Sequence, residues 1–526
     1  MNAQNVVQEL WRLCTILRKD GITYQQYVTE LTYLLFLKMM QERGQEAGSI
    51  PLGHRWVDLL RTEGLNRLQL YRETLALLGN TEVRINGKDK IVARPTILSA
   101  KASKERKTHH KKVAGDYAAA SPLPWMVLAI FANSSTFLRE PGNLKTLVEA
   151  IDKLHWFSEE RDQFGDLYEG LLQKNAEETK RGAGQYFTPR ALIDVIVKLM
   201  KPKPGEIIQD PASGTGGFLI AADRYIRARA DDYRELADTK KQEFQRTQAF
   251  HGFENVPATY RLLLMNLFLH GLSPAHVELG DTLSPAGARM KPANLILTNP
   301  PFGPAGGAPT RDDLVETANV SSYQLPFVEH CIRNLAPEGR AAIIIPDNVL
   351  FEGGRGQTLR SKMLRECKVH TILRLPTGIF YAQGVKTNVI FLQKGAKPNR
   401  ASIKVDETKE VWFYDLRNQM PQFGKTNQLT PGHFQEFIAA YGDDPDGNAD
   451  RQDEGEGGRF RKFSRRQIAD RNDNLDVTWL REENDTPDDG LIELDDIAAA
   501  IFGHLQTALE QIQSLQMELA EKELEE

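Results

Sequence analysis

The sequence predicts an α/β protein whose mainly parallel sheet carries helices on both faces, with a helical region before the sheet and a helical tail after it. Three observations support this. From about Gly205, short β-rich runs alternate with helical patterns, as in strand–helix–strand units. Before that point, apolar residues recur at helical spacing. In the last thirty residues a helical period returns.

Taken in order, residues 1–158 read as a helical domain. Val7, Leu10, Cys14 and Leu17 form one apolar stripe, and Tyr27, Leu31, Leu34 and Leu35 a second. Inside it lies the basic run "KASKERKTHHKK", Lys101 to Lys112, which reads as a solvated loop or as a phosphate contact. The strands then follow as "EIIQD", "AFHGFE", "HVEL", "ANLILTN", "RAAIIIP", "VHTILRL" and "TNVIFLQK", within a domain spanning 159–405. Residues 406–485 form a C-terminal extension, in which "GDDPDGNADRQDEGEGGRF" is expected to be a mobile acidic linker. Residues 486–526 form a last helix. There Ile497, Ile501, Leu505, Ala508, Ile512, Leu515 and Leu519 make a narrow seam suited to docking on a partner helix.

At 526 residues the chain exceeds one ordinary core. The amino terminus lacks the basic start and apolar core of a secretory signal, and no apolar run is long enough to span a bilayer. Cys14, Cys331 and Cys367 lie far apart with no metal spacing, so a reducing cytoplasm and no metal site are expected. A net charge of −5 argues against coating nucleic acid by bulk charge, but not against meeting DNA through a local patch or a partner subunit.

The unusual residues fall at strand ends, where ligands bind in an open α/β sheet. The first strand ends in Asp210-Pro211-Ala212-Ser213-Gly214-Thr215-Gly216-Gly217-Phe218, a turn that lets a ligand approach backbone. It has neither the dinucleotide glycine spacing nor a triphosphate loop. Gly424-Lys425-Thr426 is no such loop either, because Gln419 stands where its first glycine is needed. Glu254 follows the second strand, placed for ribose hydroxyls, and Asp281 the third, placed for an adenine amino group. Together with the glycine turn they describe a nucleoside pocket. Thr188-Pro189 makes a helix start, with Tyr186 and Phe187 just before it.

The fourth strand stops at Asn299-Pro300-Pro301-Phe302. The prolines make a stiff, extended corner that a plain loop would not need. An aromatic amine is a poor nucleophile because its lone pair is delocalised. Two acceptors, the Asn299 side chain and the Pro300 carbonyl, would draw its hydrogens toward tetrahedral geometry, with Phe302 stacked on the base.

"DPASGTGGF", "NPPF", "GQYFTPR" and "LPTGIFYAQGVKTNVIF", in this order, resemble the amino-methyltransferases that modify adenine N6 in DNA. With "FGDLYEGLLQKNA", "PDNVLFEGG" and the coiled tail, the chain is most similar to the modification subunits of type I restriction-modification systems. That resemblance implies a Rossmann-like, mainly parallel seven-stranded methyltransferase sheet. It implies S-adenosylmethionine bound by Asp210, Ala212, Gly214, Gly216, Glu254 and Asp281, with Gln185, Tyr186, Phe187 and Thr188 at the methionine end. Asn299, Pro300, Pro301 and Phe302 would be the catalytic tetrad, and Phe380 or Tyr381 is expected to border the target base. The implied partners are double-stranded DNA, a specificity subunit shared by two copies of this chain, and a motor-nuclease subunit.

Rival readings weaken on particular residues. Protein glutamine methyltransferases usually carry Tyr at the position of Phe302, and cytosine-N4 enzymes more often Ser in place of Asn299. A silent scaffold subunit would be expected to have lost the tetrad, Glu254 or Asp281, and all stand in this chain.

Overall fold

A computed structural model of the protein describes residues 3–79, 124–154, 163–178, 188–230, 233, 238–380, 386–396, 406–418, 420–421, 423 and 427–480. The basic run 101–112, Gln185, Tyr186, Phe187, Tyr381, the Gly424-Lys425-Thr426 stretch and the seam from Ile497 to Leu519 lie outside them.

The strands are β1 (Ile208–Asp210), β2 (Phe250–Glu254), β3 (His276–Leu279), β4 (Ala293–Thr298), β5 (Leu335–Pro346), β6 (Cys367–Arg374), β7 (Thr387–Lys394), β8 (Glu410–Asp415) and β9 (Phe460–Ser464). They form one sheet in the order β3-β2-β1-β4-β5-β7-β6-β8-β9. The seven expected strands are all present, each at its predicted run. β7 lies antiparallel between β5 and β6, while β3, β2, β1, β4 and β5 are mutually parallel. The runs were legible because strands buried on both faces become continuous apolar stretches; Leu295, Ile296 and Leu297 of β4 are each fully buried.

Two strands exceed the expected seven. β8 pairs parallel with β6, and β9 antiparallel with β8. The edge that β6 would otherwise expose is thereby covered, and Val411, Trp412, Phe413 and Tyr414 are buried.

The stretch 442–459 is also not the mobile linker expected. Lys201 pairs with Asp443 at 2.6 Å, and Lys368 donates to the Asp446 carbonyl and to Asn448 Oδ1. Arg451 donates to the Tyr441 carbonyl at 2.9 Å and lies 4.7 Å from the centre of its ring. Gly447 approaches His370 so closely that a Cβ would meet the imidazole at 2.4 Å. The acidic and glycine residues that suggest disorder serve as partners for cations and as points of close approach.

The helical amino-terminal part is packed on the sheet domain. The helices Ala3–Lys19 and Tyr24–Glu42 lie against the helix Gln163–Glu178, where the Thr32 and Tyr168 hydroxyls are 2.8 Å apart. Phe36 meets Phe268, on the helix Pro257–Leu269, at 6.1 Å between ring centres. The buried Glu30 accepts hydrogen bonds from Tyr71, Thr136 and the Phe137 amide. One apolar core runs from Leu10 to Phe460, with each fully buried Leu, Ile or Phe contributing about 1.5–3 kcal/mol.

Candidate active site

The carboxyl ends of β1, β2, β3 and β4 converge on a cavity of about 450 Å³, the size of a small-molecule site. Its walls come from the β1 turn, from Phe253 to Val256, from Gly280 to Thr282, from Asn299 and Pro301, and from the helix Gln163–Glu178.

The β1 turn is fixed by its neighbours. Gly216 has φ +87°, and a Cβ there would meet Leu263 at 2.7 Å. Gly252, on β2, lies so close to the turn that a Cβ would sit 2.1 Å from Ser213 Oγ. Asp210 is 2 % exposed and accepts from Thr298 Oγ1 (2.7 Å) and the Ala212 amide (3.1 Å). Burial pushes its carboxyl up to about 7, against the pull of those two hydrogen bonds and with a small push from Glu254.

Glu254 bridges the turns. One carboxylate oxygen accepts from the Gly214 amide at 2.9 Å, the other from the Val256 amide at 2.8 Å. Burial raises its carboxyl above the ordinary range, and the backbone donors only partly offset that. Asp281 accepts from the Leu283 amide at 2.8 Å, a turn-forming bond that leaves it lining the cavity. Thr282 donates to the Pro211 carbonyl, tying the β3 end to the β1 turn.

At the other end, Asn299 Nδ2 donates to Thr188 Oγ1 at 3.0 Å. Its Oδ1 is buried with no hydrogen-bond partner. Asn266 is similar: Nδ2 donates to the Thr215 carbonyl at 2.8 Å, while Oδ1 is buried and unpartnered. Buried acceptors are nearly always satisfied in folded proteins, so two orphans on one cavity mark a place where a donor belongs.

The cavity therefore gathers Thr188, Asp210, Ala212, Gly214, Glu254, Asp281, Asn299 and Pro301 from the expected set. Gly216 and Pro300 are buried next to lining residues of the corners. Phe302 is half-buried against the main core beside the corner. Phe380 is 8 % exposed within that core and does not line the cavity.

Several lining residues were not anticipated. Glu169 pairs with Arg190 and lies 3.6 Å from Arg224, which pairs with Asp166 at 2.8 Å; Asp194 is 3.3 Å from Arg190. These carboxylates have cationic partners. Asp210, Glu254 and Asp281 have none among the described residues, so the cavity is acidic, and a cationic ligand would draw its raised carboxyls into their ionised form.

The segment after the tetrad is stapled at its far end. Arg311 is 5 % exposed, donates to both oxygens of Asp313 (2.7 and 2.6 Å) and to the Thr282 carbonyl (3.0 Å), and lies 2.8 Å from His330 Nδ1. The Thr310 amide donates to the Leu283 carbonyl. Only the stretch from Gly303 to Pro309 is left without such anchors beyond its entry, where Gly303 bonds Gln324 and Tyr323 and Ala305 bonds Ser321.

Residues 159–489 match the N-6 DNA methylase family. The chain is 43% identical over 553 aligned residues to the methylase subunit of the type I restriction enzyme StySJI from Salmonella typhimurium, covering 99% of this chain and 96% of that one. The same values hold for the EcoKI methylase subunit of Escherichia coli. The crystal structure of the EcoKI M protein aligns with 39% identity and a TM-score of 0.53, over 98% of this chain and 96% of that one. Fold, cavity and kinship agree: the chain belongs to the N-6 DNA methylase family, among the methylase subunits of type I restriction enzymes.

Proposed function

We propose that the chain transfers a methyl group from S-adenosylmethionine to N6 of an adenine flipped out of duplex DNA, as the modification subunit of a type I restriction-modification complex. The observation that carries this reading is Asn299 Oδ1, a buried acceptor without a donor on a residue that lines the acidic cavity. An exocyclic amine supplies the missing donor.

The residues fit the cofactor. S-adenosylmethionine is cationic at sulfur, which suits a cavity holding three carboxylates without cationic partners, and when bound it supplies an electrophilic methyl group. Glu254 would hold the ribose, Asp281 the adenine amino group, and the turn from Asp210 to Gly216 the backbone-facing side. Thr188 and the preceding Gln185, Tyr186 and Phe187 would hold the methionine end.

The chain's own residues then act on the target. Asn299 Oδ1 accepts from one amino hydrogen and the Pro300 carbonyl from the other, drawing the lone pair out of the ring. Pro301 fixes the angle of the corner. Phe302 offers a surface for the base. Asparagine cannot act as a general base at neutral pH, so the proton leaves after the methyl arrives. Such a base must be extruded from the duplex. Sequence is read by a separate specificity subunit shared by two copies of this chain, to which a motor-nuclease subunit can add. The cytoplasm is the expected location.

The test is transfer of labelled methyl groups to duplex DNA, with and without the co-encoded specificity subunit, followed by nucleoside analysis. The expected product is N6-methyladenine, made by the assembled complex. Label in protein glutamine, or in N4-methylcytosine, would overturn the reading.

A further inference from the structure

Five large hydrophobic side chains among the described residues remain well exposed, and Phe351, 48 % exposed, is the only aromatic one. It ends the four-residue helix Asn348–Phe351, which follows β5 directly. β5 pairs in parallel with β4, Thr298 opposite Ile343. The register places this helix on the same carboxyl rim as Asn299, one strand over.

The mount is rigid. Val349 and Leu350 are each 1 % exposed. Arg360 donates to the Val349 carbonyl (3.1 Å) and the Glu352 carbonyl (2.8 Å). The Leu475 amide donates to the Leu350 carbonyl, closing the C-terminal extension over the same helix. Asp347, just before it, is gripped by both terminal nitrogens of Arg417 and by Asn388 at 2.7 Å. Beyond the ring come Gly353 and Gly354, with open space around both, and then the exposed Arg355. A segment held by two buried arginines yet ending on an exposed aromatic ring is preorganised for a partner. An exposed ring four residues before an exposed arginine, on the rim of a site that needs an extruded base, suits a base stack flanked by phosphates.

Resting on the methyltransferase reading above, we propose that Phe351 enters the DNA base stack beside the target adenine and holds open the gap its extrusion leaves, with Arg355 against the adjacent phosphate. Phe351 is a positioning residue: it touches neither the methyl group nor N6, and it acts by lowering the cost of unstacking. Its contribution is therefore largest on a fully paired site and smallest where the adenine is already unpaired.

The test uses full-length chain with its specificity subunit, on a site mapped from N6-methyladenine positions in host DNA. One duplex carries the target adenine paired with thymine, another the same adenine opposite an abasic position. For Phe351→Ala we expect a loss of about ten-fold or more in methylation rate on the paired duplex, and a rate near wild type on the abasic one. Phe351→Trp should retain most activity on both. S-adenosylmethionine affinity, measured by calorimetry, should not change in either variant. Equal loss on both duplexes, or no loss on the paired one, would overturn the proposal while leaving the methyltransferase reading intact. Failure of the wild-type complex to methylate either duplex would instead strike that reading.

Discussion

At the residue scale, function concentrates in side chains that carry an unmet demand. Asn299 has one amide hydrogen bonded to Thr188 and a buried oxygen bonded to nothing. Replacing it with Ala should leave cofactor binding near normal and cut methyl transfer by about a hundred-fold or more, the scale seen when one preorganised polar group is removed from a site. Asp281→Ala should act oppositely, weakening S-adenosylmethionine by about ten-fold or more, as for loss of a charge-assisted hydrogen bond. Calorimetry on both variants separates the two roles; unchanged affinity in Asp281→Ala would remove its adenine contact. Asp210 adds a pH signature. Its carboxyl is raised to about 7, so in the free protein its stabilising contribution is present below the ordinary carboxylate range and lost as pH rises through about 7. A cationic ligand favours the ionised form, so the upward shift in Tm given by S-adenosylmethionine should grow between about pH 6 and about pH 8. Neutral S-adenosylhomocysteine should show a flatter profile, and equal slopes for the two would exclude a charge link through Asp210.

At the element scale, the seven strand runs and the β1, β2, β3 and β4 corners were legible because each is local: a buried apolar run, then residues that cannot continue it. What was not legible depends on distant partners. Thr298 holds Asp210 across 88 residues and Thr188 meets Asn299 across 111, and no period in the sequence joins them. Arg190, Arg224 and Glu169 are ordinary charged helix residues until the helices Gln163–Glu178, Arg190–Met200 and Gly217–Arg229 pack together. Composition misled at 442–459, where acids and glycines signal disorder only if no cation or close neighbour takes them up. Arg311 is the buried counterpart at the tetrad's trailing segment. Arg311→Met leaves Asp313 with Arg333 as its remaining partner and takes from the Thr282 carbonyl a buried donor, so it should lower Tm by a few degrees, on the order of the 1–3 kcal/mol for a buried polar group left unsatisfied. A thermal melt unchanged by this substitution would show that the staple bears little load.

At the scale of the whole molecule, one core joins the amino-terminal helices, the sheet and the extension, and the extension closes over the rim helix that carries Phe351. On the proposed function, the sheet would hold cofactor and target, and sequence reading would fall to a partner. Removing the chain from Ile497 onward should therefore impair complex formation with the specificity subunit, measured by mass photometry, and leave cofactor affinity intact. Loss of cofactor binding in that truncation would place the tail in the catalytic unit instead. If the proline-framed corner holds an extruded adenine by its amino group, the structure of the assembled complex with duplex DNA and a non-reactive cofactor analogue should have the target N6 within about 3.2 Å of both Asn299 Oδ1 and the Pro300 carbonyl. An adenine still stacked in the duplex, or one bound with Asn299 turned away from it, would rule that grip out.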